Sequence, residues 1–149
     1  MIAYIDSSLL VRAYLADELG HEDVGGLIGE DEIALVTGSW TRVEVSGALV
    51  RAGRGGRIDD ASMRGLLMLL DADLADEGTI TTVRAPQEEV DDVALDLVRS
   101  YGLRAMDAWH LATASLAVPP LLERREEKAF ASRDLDQREV ARELGFTLL

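Results

Sequence analysis

Short apolar runs hand over to helices within a few residues, repeatedly along this chain. Ile2 to Ile5 runs into Asp6-Ser7-Ser8, a good helix cap, and then Leu9-Leu10-Val11. Ile33 to Val36 leads through Thr37-Gly38 to Ser39, which can cap a helix ending near Ala52. Thr79 to Val83 is rich in β-branched residues and precedes Pro86, which suits a helix start. Lys128 to Ser132 precedes a helix over Gln137 to Leu144, and Phe146 to Leu149 reads as a last strand. Strands that alternate with helices imply a mainly parallel sheet covered on both faces. The expected fold class is therefore α/β, a three-layer α/β/α arrangement on about five short strands.

The remaining helices follow from caps and periodicity. The first ends in A-D-E-L-G, with Gly20 as a stop, and a small helix is expected around Asp23 to Ile28. Asp59-Asp60 opens another, Ala61 to about Ala75. Val90, Val93, Ala94, Leu97, Val98 and Tyr101 fit one apolar helix face. A further helix spans about Asp107 to Ala117 and stops before Pro119-Pro120. Gly53 to Arg57 and Pro119 to Glu126 read as loops, with no repeat or linker between them. One domain over residues 1–149 is the expectation.

Composition narrows the chemistry. Hydrophobic residues make up 48% of the chain, enough for a substantial core. Cysteine is absent, which excludes disulfides, thiolate catalysis and cysteine-bound zinc. The start has no basic, apolar leader, and the longest strongly apolar run, L-L-M-L-L, is too short to span a membrane. A cytoplasmic location is expected. The net charge is −13, from 28 acids against 15 lysines and arginines. That balance opposes broad nucleic-acid binding and favours a basic partner.

Four of the acids occupy special places. Asp6 ends the strand I-A-Y-I-D, and Asp134 follows the strand K-A-F-A-S. Asp107 opens the helix M-D-A-W-H-L-A-T-A, and Glu44 sits among small and apolar helix residues. Taken singly, each has a plain reading. Asp6 and Asp134 are good caps, Asp107 suits a helix N-terminus, and Glu44 is a half-buried acid or a solvated edge. Asp136 competes with Asp134. His110, one turn after Asp107, can hydrogen-bond it or simply pack against the core. Together, carboxylates gathered at one edge of a parallel sheet repel one another, which favours proton uptake or a hard, oxygen-liking cation such as Mg2+ or Mn2+.

The chain resembles a PIN domain, specifically the toxin ribonuclease of a VapBC-type toxin–antitoxin pair. The resemblance rests on Y-I-D-S-S, on T-G-S-W-T-R-V-E-V-S-G-A-L, on L-R-A-M-D-A-W-H-L-A-T-A and on F-A-S-R-D. It covers essentially the whole chain. It implies metal-dependent hydrolysis of RNA phosphodiester bonds with Mg2+ or Mn2+. Asp6 and Asp107 would be the principal ligands, Glu44 would complete the site, and Asp134 would serve a second ion or the attacking water. Ser7 and Ser132 fall where the family carries small hydroxyl residues beside the site. Ser132 stands where threonine is more usual, and the P-P-L-L-E-R-R-E-E-K segment is longer and more charged than the family pattern.

Substrate and partner calls for basic and apolar surface. Arg51, Arg54 and Arg57 punctuate R-A-G-R-G-G-R. They read equally as charge suited to a helix C-terminus and as a loop that grips phosphates. Arg12 and Arg104 are further candidates. Met63, Leu66, Leu67, Leu70 and Leu74 form one stripe, with Met68 and Leu69 off it. Those two are either buried by neighbouring elements or form a groove wall for an antitoxin with a basic and apolar tail. A homodimer is the expected assembly. The alternatives are a housekeeping PIN nuclease in RNA processing and a non-catalytic PIN-like binding module. A receiver-like module fits poorly, since only Asp6 ends the first strand.

Overall fold

The computed structural model describes residues 1–30 and 32–149. Chain order is β1 (Ile2–Ile5), α1 (Ser7–Tyr14), α2 (His21–Ile28), β2 (Ala34–Gly38), α3 (Thr41–Arg54), α4 (Asp60–Asp73) and β3 (Ile80–Val83). Then come α5 (Gln87–Tyr101), α6 (Ala105–Ala117), a short 3-10 turn (Pro119–Leu121), β4 (Lys128–Ala131), α7 (Leu135–Glu143) and β5 (Thr147–Leu148). The strands form one sheet in the order β3-β2-β1-β4-β5. Every neighbouring pair is parallel, with Tyr4 opposite Val36 on one side and Phe130 on the other.

All four β1 residues are buried, as a central parallel strand requires. Successive side chains point to opposite faces. Ile2 and Tyr4 join Val90, Leu97, Leu111 and Val140 under α5, α6 and α7. Ala3 and Ile5 join Leu10, Val24, Val45, Leu49 and Leu70 under α1 to α4. The result is the expected α/β/α sandwich, with the sheet wholly parallel. β1 is followed by β2 on one side, and the chain later returns as β4 on the other. The carboxyl ends of β1 and β4 therefore flank a reversal of strand order, where α/β sheets open a crevice.

Several element ends differ from the sequence reading. β2 starts at Ala34 and continues through Thr37 and Gly38, because Gly38 pairs with Val83 of β3. Ser39 does not cap α3, whose N-cap position is Trp40 without a side-chain cap bond. α1 stops at Tyr14, where Leu15 turns extended, before the acidic A-D-E-L-G stretch. α6 begins at Ala105, which puts Asp107 inside its first turn. α7 begins at Leu135 because Asp134 accepts the Gln137 N–H. The predicted loop after α6 contains the 3-10 turn at Pro119–Leu121.

Candidate active site

Asp6 closes β1 and caps α1. One carboxylate oxygen accepts the Leu9 N–H at 3.0 Å, and the Ser8 hydroxyl lies 2.9 and 3.0 Å from the two oxygens. Ser132, just past β4, reaches Asp6 Oδ2 at 2.9 Å across the switch point. Asp6 is only 2% exposed. Burial pushes its pKa above the ordinary carboxylate range, and the Leu9 N–H, His110 and the two serines partly offset that.

Asp107, in the first turn of α6, is also pushed up. Burial is the largest cause, followed by the negative charges of Asp134 and Asp6, with Arg104 and His110 opposing. Asp107 on α6 thus lies in the field of the carboxylates at the end of β1 and at the β4–α7 junction. Asp134 is tied to its place by the cap bond to Gln137, at 2.9 Å. Gln137 is buried and braces the junction: its Oε1 meets Ser132 Oγ at 2.5 Å and its amide donates to the Asp107 carbonyl at 3.1 Å. Asp136 is not among the groups acting on Asp107.

Glu44 enters from α3. Its Oε2 lies 2.7 Å from His110 Nε2, and its side chain is 27% exposed. His110 therefore bonds Glu44 and, through Nδ1, the Tyr4 hydroxyl at 2.8 Å, rather than Asp107. A groove of about 460 Å³ between α1 and α3 runs past Ser7, Val43, Glu44 and Arg51. Ser8, not Ser7, is the α1 serine that hydrogen-bonds Asp6.

The arginines separate in space. Arg51 lines the groove at Glu44. Arg57 is turned away into the α1–α2 connection, with Nη2 2.8 Å from Asp17 and 3.0 Å from Glu18. Arg54 is exposed at the end of α3, and Arg12 is half-buried on α1, its covered Nε without a hydrogen-bond partner among the described residues. On α4, Met68 is 74% and Leu69 49% exposed, while Leu70 is buried in the core.

Oxygen donors dominate this cluster, and both nitrogens of the single nearby histidine are already engaged. Among the described residues no three His, Asp or Glu side chains converge closely enough to hold a metal ion as they stand. Burial raises the proton affinity of Asp6 and Asp107, and their oxygen-donor chemistry fits a hard divalent cation.

The PIN domain profile matches residues 3–143, nearly the whole chain. The chain belongs to the PIN domain family. Members of this family are nucleases. Among solved structures, the fold is similar to that of VapBC-1 from nontypeable Haemophilus influenzae. The TM-score is 0.53 at 13% identity, covering 100% of this chain and 97% of the other. At that identity the likeness speaks for the PIN fold alone. No curated protein matches the sequence.

Three supports of the candidate site were missed in the sequence: Ser8 on Asp6, Gln137 beneath the β4–α7 junction, and the His110–Glu44 bond. Ser8 had a signal, since a serine two residues after a capping aspartate lies within reach of it. The other two join distant segments.

Proposed function

We propose that this PIN domain is a divalent-metal-dependent endoribonuclease, the toxin of a toxin–antitoxin pair. The observation that carries the reading is the gathering of Asp6, Asp107 and Asp134 at the carboxyl edge of β1 and β4, where Ser132 and Gln137 tie the three segments together, with Glu44 joined to α6 through His110. Asp6 and Asp107 would hold the principal ion, with Glu44 joining directly or through water and Asp134 serving a second ion or the water. Bound Mg2+ or Mn2+ would supply Lewis-acid stabilisation of the phosphodiester and a more acidic water. The protein's own part is orientation. The Leu9 N–H and the Ser8 and Ser132 hydroxyls fix Asp6, and the α7 cap fixes Asp134. Arg51 is the arginine best sited to meet RNA phosphates beside Glu44.

The antitoxin half of the proposal rests on charge and exposed apolar surface. A chain at −13 with an acidic crevice is a poor electrostatic match for RNA and a good one for a basic peptide. An arginine of such a peptide could pair with the crevice carboxylates, while its apolar residues pack on Val43, Met68 and Leu69. The similarity to VapBC-1 is one of fold, and an antitoxin partner for this chain is part of the proposal. A homodimer is part of the same reading, and sedimentation of the purified chain decides it.

The direct test is RNA cleavage in the presence of Mg2+ or Mn2+ and after EDTA. The reading expects metal-dependent cleavage lost in Asp6→Asn and in Asp107→Asn, with the fold kept. Cleavage that persists in EDTA, or either variant working at near-wild-type rate in saturating metal, refutes it.

A further inference from the structure

Tyr4, His110 and Glu44 form a chain of hydrogen bonds that leads from the core to the acid cluster. Tyr4 is fully buried in β1, and His110 on α6 is 1% exposed. Tyr4 Oη lies 2.8 Å from His110 Nδ1, and His110 Nε2 lies 2.7 Å from Glu44 Oε2. The aromatic rings are held by neighbours. The Tyr4 ring stacks on Phe130 at 5.5 Å, and Trp109 meets the imidazole edge-on at 5.4 Å. Gly38 closes the back of this cluster. A Cβ there would sit 2.6 Å from Tyr4 Oη and 2.7 Å from the Trp109 ring.

Counting protons decides the direction of the chain. A phenol carries one proton at neutral pH. Tyr4 is fully buried, so that proton needs an acceptor inside the fold. Among the described residues, His110 Nδ1 is the only hydrogen-bond partner within side-chain reach of the Tyr4 hydroxyl. The Tyr4 O–H therefore donates to Nδ1. An imidazole that accepts at Nδ1 carries its hydrogen at Nε2, where it faces the Glu44 carboxylate.

We infer that His110 is a positioning residue: Tyr4 fixes its tautomer, and its Nε2–H then holds the Glu44 carboxylate at the acid cluster. A glutamate on a helix surface otherwise samples many rotamers. Here one oxygen is anchored by a buried donor, on a residue that lines the groove. The inference rests on the metal-binding reading of the acids for its consequence, because partners that orient a metal-binding carboxylate are worth about 10–100-fold in metal affinity.

The test uses the metal-free full chain, labelled with 15N on histidine and 13C on glutamate side chains. Wild-type His110 should show the Nε2–H tautomer by two-bond proton–nitrogen NMR. Tyr4→Phe should let the Nδ1–H tautomer appear. Mn2+ binding by calorimetry should weaken about 10–100-fold in His110→Ala. His110→Gln, whose amide can donate from the same direction, should recover most of that loss. An Nδ1–H tautomer in the wild type, or unchanged Mn2+ affinity in His110→Ala, overturns the inference. If the wild type binds no Mn2+ at all, the metal reading fails by itself. The Glu44 carboxyl 13C shift then decides: it moves in His110→Ala and Tyr4→Phe if His110 holds Glu44, and stays fixed if it does not. Should His110→Ala fail to fold, Tyr4→Phe and His110→Gln carry the same comparison.

Discussion

Asp6→Asn should make the metal-free protein more stable at neutral pH while abolishing cleavage. Asp6 is 2% exposed, and burial is the largest influence on its ionisation. Asparagine matches aspartate as an N-cap, so the Leu9 N–H keeps its acceptor. The new amide can donate to Ser132 Oγ, leaving the serine proton for Gln137 Oε1, which already lies 2.5 Å away. The substitution thus removes a buried charge and loses few hydrogen bonds. Substitutions that relieve one such local cost are commonly worth about 0.5–2 kcal/mol, so a gain of about 1 kcal/mol is expected. That is about 2–4 °C in Tm for a chain of this size. The sign with pH follows from the raised pKa. Asp6 in the fold prefers its proton, so the wild type has its full stability below the ordinary aspartate value of 3.8 and loses part of it as pH rises through the higher folded value. The variant does not titrate at this position. The gap between the two should therefore be smallest below about pH 3, open as pH rises toward the folded value, and be complete at neutrality. The assay is calorimetric unfolding in EDTA across that range, paired with RNA cleavage in Mn2+. A variant less stable than wild type at pH 7 in EDTA, or a gap that does not close in acid, refutes the burial argument.

In divalent metal the order should invert. At about 100 times its Kd, bound ion adds roughly 2.7 kcal/mol to the wild type by mass action, and Glu44→Gln should shrink that increment in melts with and without Mn2+. Gly38→Ala should cost about 1–3 kcal/mol in chemical denaturation, because the new methyl has to displace the Tyr4 hydroxyl and the Trp109 ring. Met68→Glu and Leu69→Glu should each weaken binding of a basic, apolar antitoxin peptide tenfold or more, about 1.4 kcal/mol, and leave cleavage by the free chain unchanged. Calorimetric titration and RNA cleavage read the two halves of that statement. Arg57→Ala should leave cleavage intact and change the melting temperature little, since its ion pairs with Asp17 and Glu18 lie at the surface, whereas Arg51→Ala should raise KM for RNA.

Much of the architecture is local in origin and so was readable along the chain. The apolar run Ile2–Ile5 followed by a capping aspartate, and the β-branched run at Ile80–Val83 before Pro86, identify strand, cap and helix from neighbours a few positions apart. Alternation of such units is enough to require a parallel sheet, and the carboxyl ends of its strands indicate where acids such as Asp6 and Asp134 gather. Element ends were less legible. Gly38 is in β2 because Val83 on another strand pairs with it, a fact absent from its own surroundings. Side-chain partnerships were not legible at all where they span the fold. Ser132 reaches Asp6 across 126 positions, His110 reaches Glu44 across 66, and Arg57 is captured by Asp17 across 40. Periodicity says which face of an element is apolar, but not which two faces the sheet brings together. That depends on strand order and on which polar groups, once buried, need partners. So the residue types of the site belonged to the sequence. The bond between His110 and Glu44 and the pairing of Arg57 with Asp17 and Glu18 were decided by tertiary packing.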